Sequence, residues 1–220
     1  MRPSHPLPPL RVLAVAGSLR RDSWNRRLLD AAAECAAPGM VVTVYGDLAS
    51  VPLFSENLEA EGGPEGVRRL HQATDAADGL LIATPEYNQS IPGVLKNAID
   101  WLSRPDGESC LVGKPAAVIG ATAGSWGTRL AQRELRHVLS ATESLVLPTP
   151  ALYLRNAAAA FDGSGRLTDP PTRETLTRLL AAFAEWIRWS AGNAGSSSAS
   201  ASGSGGTGAA RGRPSPMPAC

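Results

Sequence analysis

Arg11-Val12-Leu13-Ala14-Val15-Ala16-Gly17-Ser18-Leu19-Arg20-Arg21-Asp22-Ser23-Trp24-Asn25 joins two different patterns. Arg11 to Ala16 is a continuous apolar run of strand length. From Trp24 to Ala36 the apolar residues Leu28, Leu29, Ala32 and Ala36 fall on one side of a helix. A strand that shows no polar face is buried on both sides, as in a parallel sheet covered by helices. The polar loop between strand and helix then lies at the strand's carboxyl end, where sheets of this kind bind ligands.

The pattern repeats along the chain. Met40–Tyr45 reads as a second strand, and Pro64–Ala76 as a helix. Gly79–Thr84 is a third, wholly apolar strand, and Pro92–Ser103 a helix with Leu95, Ile99 and Leu102 in register. Pro115–Ile119 is a fourth strand, Thr128–Ala141 a helix, and Leu145–Leu147 a short fifth strand. A closing helix is expected behind Asp169, which can cap it ahead of Pro170, with Leu176, Leu179, Leu180, Phe183 and Ile187 at helical spacing. Each parallel connection needs a crossover, so the expectation is an α/β doubly wound, five-stranded parallel sheet with helices on both faces. The search for chemistry narrows to the loops after Ala16, Tyr45, Thr84 and Ile119.

The ends of the chain read differently. Residues 191–220 hold seven Gly, seven Ser and seven Ala and no Val, Leu, Ile or aromatic residue, so burial cannot offset their ordering. The expected organisation is a flexible N-terminus at 1–9, one domain over 10–190, and a disordered tail over 191–220. Among 220 residues the formal net charge is +1, which draws the protein toward neither nucleic acid nor a membrane. No run approaches the ~18 apolar residues of a membrane span, and the start lacks a signal-peptide pattern, so the expected location is cytoplasmic. Cys35, Cys110 and Cys220 show no metal or disulfide spacing and read as core or surface thiols. His5, His71 and His137 lie outside the site loops.

The first loop excludes two familiar phosphate motifs. It has no G-x-G-x-x-G, and Gly113-Lys114 leads into Pro115 rather than a hydroxyl. It offers instead the hydroxyls of Ser18 and Ser23, the amide of Asn25 and the guanidinium of Arg20, presented at a helix N-terminus. These donors suit one terminal phosphate, although a capping role for Ser23 and a surface role for Arg20 account for the same residues. In the third loop, Pro85-Glu86-Tyr87-Asn88-Gln89-Ser90-Ile91-Pro92-Gly93, two prolines stiffen the backbone beside Tyr87. Such a loop can hold a flat heteroaromatic ring or serve as a plain helix entry.

Together these blocks, with Leu95-Lys96-Asn97-Ala98-Ile99-Asp100-Trp101 and Ser103-Arg104, resemble the NADPH-dependent FMN reductase family of flavodoxin-like quinone, chromate and azo-dye reductases. The resemblance runs from about Arg11 to Trp189. It implies a flavodoxin-like fold with strand order 2-1-3-4-5, and FMN held at its phosphate by Ser18, Arg20, Ser23 and Asn25, with Trp24 alongside. It places Pro85, Glu86, Tyr87 and Asn88 beside the flavin ring and ribityl chain, and Ala121 and Thr122 on a third flavin-side loop. Relatives often carry Ser where Ala121 or Thr122 stands, and an Arg where this chain has Leu130, with Arg129 one place earlier. Val51-Pro52-Leu53-Phe54 occupies a place that adds to a dimer contact and substrate rim.

The implied function is an FMN-dependent NAD(P)H oxidoreductase. NADPH or NADH passes a hydride to flavin N5, and a quinone-like or other small electron acceptor takes it, in ping-pong turnover. No side chain acts as acid, base or nucleophile, no metal is involved, and the implied assembly is a homodimer or homotetramer. The rival readings are a flavodoxin-type electron carrier, an FMN reductase supplying reduced flavin to a monooxygenase, and a flavin-free interaction module. The Arg20 loop, the Pro-Glu-Tyr-Asn loop and the absence of a strongly acidic composition favour the enzyme over the carrier.

Overall fold

The computed structural model describes residues 8–199. Its strands are β1 (Leu10–Ala16), β2 (Met40–Val44), β3 (Gly79–Ala83), β4 (Pro115–Ala121), β5 (Leu145–Val146) and β6 (Leu152–Leu154). Its α-helices are α1 (Trp24–Glu34), α2 (Glu56–Ala60), α3 (Glu65–Asp75), α4 (Gly93–Leu102), α5 (Arg129–Ala141) and α6 (Pro170–Ala199). The strands pair in parallel in the order β2-β1-β3-β4-β5, with β6 also on β4.

Alternation along β1 divides the core. Val12, Ala14 and Ala16 face one layer with Leu28 and Leu29 of α1 and Leu176, Leu180 and Phe183 of α6. Leu13 and Val15 face the other, with Leu70 of α3, Leu95 and Ile99 of α4, and Leu135 and Leu139 of α5. Each residue shift along a strand changes faces, so apolar side chains at every position require helices on both. Burying each of these Leu or Phe side chains contributes roughly 1.5–3 kcal/mol.

Three features depart from the expected outline. The sheet has six strands, because Leu152–Leu154 pairs with Ile119–Ala121 after β5 has paired with Pro115 and Ala116. Both lie along the same edge of β4, with Pro148 and Pro150 between them, where a ring replaces the N–H a continuous ladder would need. That second half-strand also carries β4 on to Ala121, two residues beyond its expected end. Finally, α6 is helical to Ala199, past the expected domain end at 190. The remaining tail positions and residues 1–7 lie outside the described residues. Asp169 caps α6 as expected, its carboxylate accepting from the Thr172 N–H at 3.0 Å. Among the described residues, no helix is long and apolar enough to cross a membrane.

Candidate functional site

The order β2-β1-β3 reverses direction at β1, so the loops leaving β1 and β3 flank the crevice at the sheet's carboxyl end. Gly17 opens the first loop, its N–H donating to Ala83 O at 2.8 Å. A Cβ here would stand 3.0 Å from Leu95 Cδ2 and 3.4 Å from Pro85 Cδ, so glycine lets the first loop, the third loop and α4 meet. Ser18 is half-buried, and Leu19 to Asp22 are exposed. Arg20 closes the loop on itself, Nη2 donating to Asp22 O at 2.6 Å and the backbone N–H reaching Ser18 Oγ at 3.4 Å.

Ser23, only 2% exposed, is the N-cap of α1, its Oγ accepting from the Arg26 N–H at 3.3 Å. The first turn of α1 contains no acidic residue, so no side chain within that turn offsets the helix's positive end. Asn25 turns toward β4. Its Nδ2 donates to Ala121 O at 3.0 Å and its Oδ1 accepts from the Ala121 N–H at 2.9 Å, buried between α1 and β4. These two hydrogen bonds clip the helix start to β4 and use one of the two Nδ2 hydrogens. The same clip occupies both backbone groups of Ala121 that a flavin-side contact would use. Trp24 is also engaged, stacked on Phe161 at 5.6 Å with the Arg27 guanidinium 4.8 Å from its ring.

On the third loop, the buried Thr84 donates its hydroxyl to Pro85 O at 2.8 Å. Tyr87 and Ser90 exchange backbone hydrogen bonds of 3.1 and 3.0 Å around Asn88 and Gln89, whose φ values are 51° and 65°. Two consecutive left-handed residues in a two-residue hairpin make a type I′ turn. The turn leaves Tyr87 51% exposed at the crevice. Glu86 turns its side chain to α5, its Oε2 accepting from the Leu130 and Ala131 N–H groups at 2.9 and 3.1 Å. It thus caps α5, whose N-cap Thr128 makes no side-chain cap bond, and joins the third loop to the fourth. A backbone N–H at Leu130 suffices for that contact, while the Arg129 guanidinium lies 4.8 Å from the Tyr153 ring.

The loop after β4 is held by a strand that sequence reasoning missed. Thr122 N–H donates to Leu154 O at 3.0 Å, Asn156 N–H to Gly124 O at 3.0 Å, and Ala157 N–H to Thr122 O at 2.9 Å. Trp126 on this loop is 81% exposed. Beyond the first loop, toward β2, a cavity of about 210 Å³ is lined by Ser18, Arg20, Arg21, Arg26, Tyr45 and Leu48, among others. The pair Arg20-Arg21 with Arg26 five places on was the available signal for it.

Other expected features lie outside the crevice. Trp101 is buried, donating from Nε1 to Pro52 O at 2.8 Å, while neighbouring Leu53 is 80% exposed. His71 Nε2 and Trp101 O are 2.9 Å apart, and Cys110 lies 3.8 Å from His71 Nδ1. Burial pushes the Cys110 thiol up to about 11, so it stays protonated near neutral pH.

The donor set fits FMN. Ser18, Arg20, the Ser23 hydroxyl and the open amides at the start of α1 match a phosphate, and Pro85 with Tyr87 supplies a stiff, partly apolar wall one strand away. Comparison with known proteins agrees. Residues 10–159 match the family model described as NADPH-dependent FMN reductase. An NAD(P)H-dependent FMN reductase of Pseudomonas aeruginosa is 44% identical over 81% of this chain and 96% of its own. A 2-hydroxy-1,4-benzoquinone reductase of a Burkholderia species is 41% identical over 81% of this chain and 97% of its own. Among solved structures, FerB, a flavoenzyme NAD(P)H:(acceptor) oxidoreductase from Paracoccus denitrificans, superposes with a TM-score of 0.76 at 36% identity. That match covers 81% of this chain and 97% of FerB.

Proposed function

The chain belongs to the NADPH-dependent FMN reductase family, and from that premise we propose that it is an FMN-dependent NAD(P)H:quinone oxidoreductase working by alternating turnover. FMN, when bound, supplies two-electron hydride chemistry at its N5. The chain's own groups bind, orient and shield. Ser18 and Arg20, with the Ser23 hydroxyl and the amides at the start of α1, hold the phosphate. The Arg20 guanidinium, which donates to Asp22 O in this structure, would supply charge-assisted hydrogen bonds to it. Asn25 and Glu86 act as positioning residues, fixing α1 against β4 and the third loop against α5. The type I′ turn holds Pro85, Tyr87 and Asn88 along the ring and ribityl chain, with Thr122 on the far side.

The observation that carries this reading is a helix N-terminus with no acidic residue in its first turn, with Ser18 and Arg20 at the sheet's reversal point, beside a turn bearing an exposed tyrosine. Nicotinamide and acceptor would share the face beside the exposed Tyr87, so the first would leave before the second enters. A homodimer or homotetramer in the cytoplasm completes the proposal, with exposed Leu53 in the contact. Light scattering that returned a monomer would remove that part.

The decisive test is anaerobic mixing of the FMN-loaded protein with NADPH or NADH, followed by a quinone. Bleaching of the flavin absorbance within seconds and its return on adding quinone are expected. A flavin that neither nicotinamide bleaches overturns the oxidoreductase reading, and intersecting rather than parallel double-reciprocal lines overturn alternating turnover.

A further inference from the structure

We propose that the cavity between the first and second loops, which borders the FMN phosphate site at Ser18 and Arg20, holds a second phosphate at Arg21 and Arg26, and that it receives the 2′-phosphate of NADPH. The proposal rests on the reductase reading and extends it to the choice of coenzyme. Three guanidinium side chains, Arg20, Arg21 and Arg26, line a space of about 210 Å³ with Ser18, and none of its lining residues is acidic. Like charges gathered this way repel unless an anion joins them.

The carboxylates of Asp47 and Asp22 are engaged with other arginines. Asp47 pairs with Arg69 at 2.5 Å, and Asp22 lies 3.7 Å from Arg27. Arg26 meets Asp30 through Nε alone, at 3.1 Å, which leaves its two terminal nitrogens without a hydrogen bond among the described residues. Arg21 has no ion pair or hydrogen bond among the described residues and is exposed. One phosphate on the α1 N-terminus accounts for Arg20 and Ser18, and leaves Arg21 and Arg26 unused. Tyr45 and Leu48 add an apolar wall, and burial raises the Tyr45 phenol above its ordinary value, so it remains neutral.

Position decides which anion this is. The sheet order puts the β2 loop two strand spacings, about 10 Å, from the third loop, on the opposite side of the first loop from Tyr87. FMN held by the third-loop residues would lie on the β3 side of the first loop, whereas this cavity lies on its β2 side. A dinucleotide whose nicotinamide lies beside Tyr87 can turn its adenosine end back toward β2. NADPH and NADH differ there by a single phosphomonoester, the dianion that paired guanidinium forks recognise.

The test is calorimetry on the FMN-loaded protein with 2′,5′-ADP and 5′-AMP, in the parent, in Arg21→Ala, and in the double variant Arg21→Ala/Arg26→Ala. The parent is expected to bind 2′,5′-ADP about tenfold or more tightly than 5′-AMP, with the advantage reduced in the single variant and abolished in the double. The ratio of flavin bleaching rates with NADPH and NADH should fall in the same order, while FMN retention holds. Equal binding of the two nucleotides by the parent overturns the proposal, as does an advantage that survives the double variant. Loss of FMN from the double variant also overturns it, by making this the FMN phosphate site. Failure of both nicotinamides to bleach the flavin strikes the reductase reading instead, and calorimetry still decides the site.

Discussion

Asn25 and Arg20 stand five residues apart and do different work, which single substitutions can separate. The Asn25 amide satisfies a buried N–H and a buried C=O of Ala121, so Asn25→Ala leaves two backbone groups without partners. At roughly 1–3 kcal/mol for each stranded group, a loss of about 3 kcal/mol is expected, read as a lower urea midpoint. Arg20 is exposed and bonds only within its own loop, so Arg20→Ala should leave the melting temperature within about 2 °C while weakening FMN retention about tenfold or more. Unchanged FMN affinity would contradict the phosphate role. The residue types in the first loop pointed to an anion site or to a capped helix start with a surface arginine, and Ser23 does cap α1. They could not announce that Asn25 turns inward, since its partner lies 96 residues away and an amide reads the same whichever side it faces.

At the scale of elements, strands were legible where burial was complete. β1 from Val12 onward, β3 and β4 are unbroken apolar runs, and the order 2-1-3-4-5 came from the family resemblance. β6 escaped because three residues after Pro148-Thr149-Pro150 carry no periodicity, although they fix where β4 ends and how the loop after it is held. The turn at Asn88-Gln89 was equally hidden, because type I′ geometry is usually signalled by glycine and none stands there. Gln89 at φ 65° bears a left-handed conformation that costs an L-residue roughly 1–2 kcal/mol. Replacing it by glycine removes that strain and adds unfolded-state entropy of roughly 0.5–1 kcal/mol. Gln89→Gly should therefore raise stability by about 0.5 kcal/mol, measured by chemical denaturation, with flavin binding retained. A clear loss would show that the Gln89 side chain holds the turn.

For the whole molecule, charge acts through a few local pairs, because the formal net charge is only +1. Hydrogen bonding to Arg69 holds the Asp47 carboxyl below its ordinary value, and Arg68, seconded by Arg69, does the same for Glu65. Depressed folded-state values mean that this contribution is present above the unfolded carboxylate range, about pH 4, and is lost as pH falls through the folded values. Melting temperature should hold as pH is lowered to about 5 and then drop. Arg69→Gln should flatten the drop by a small amount, as both carboxylates are exposed. The divided fifth strand, finally, bears on how copies of the chain meet. A long, straight edge would offer its unpaired amides to a neighbour and invite open-ended stacking. Here that margin is two residues, a pair of prolines and three more residues. Such a border gives little template for sheet-to-sheet growth along that side.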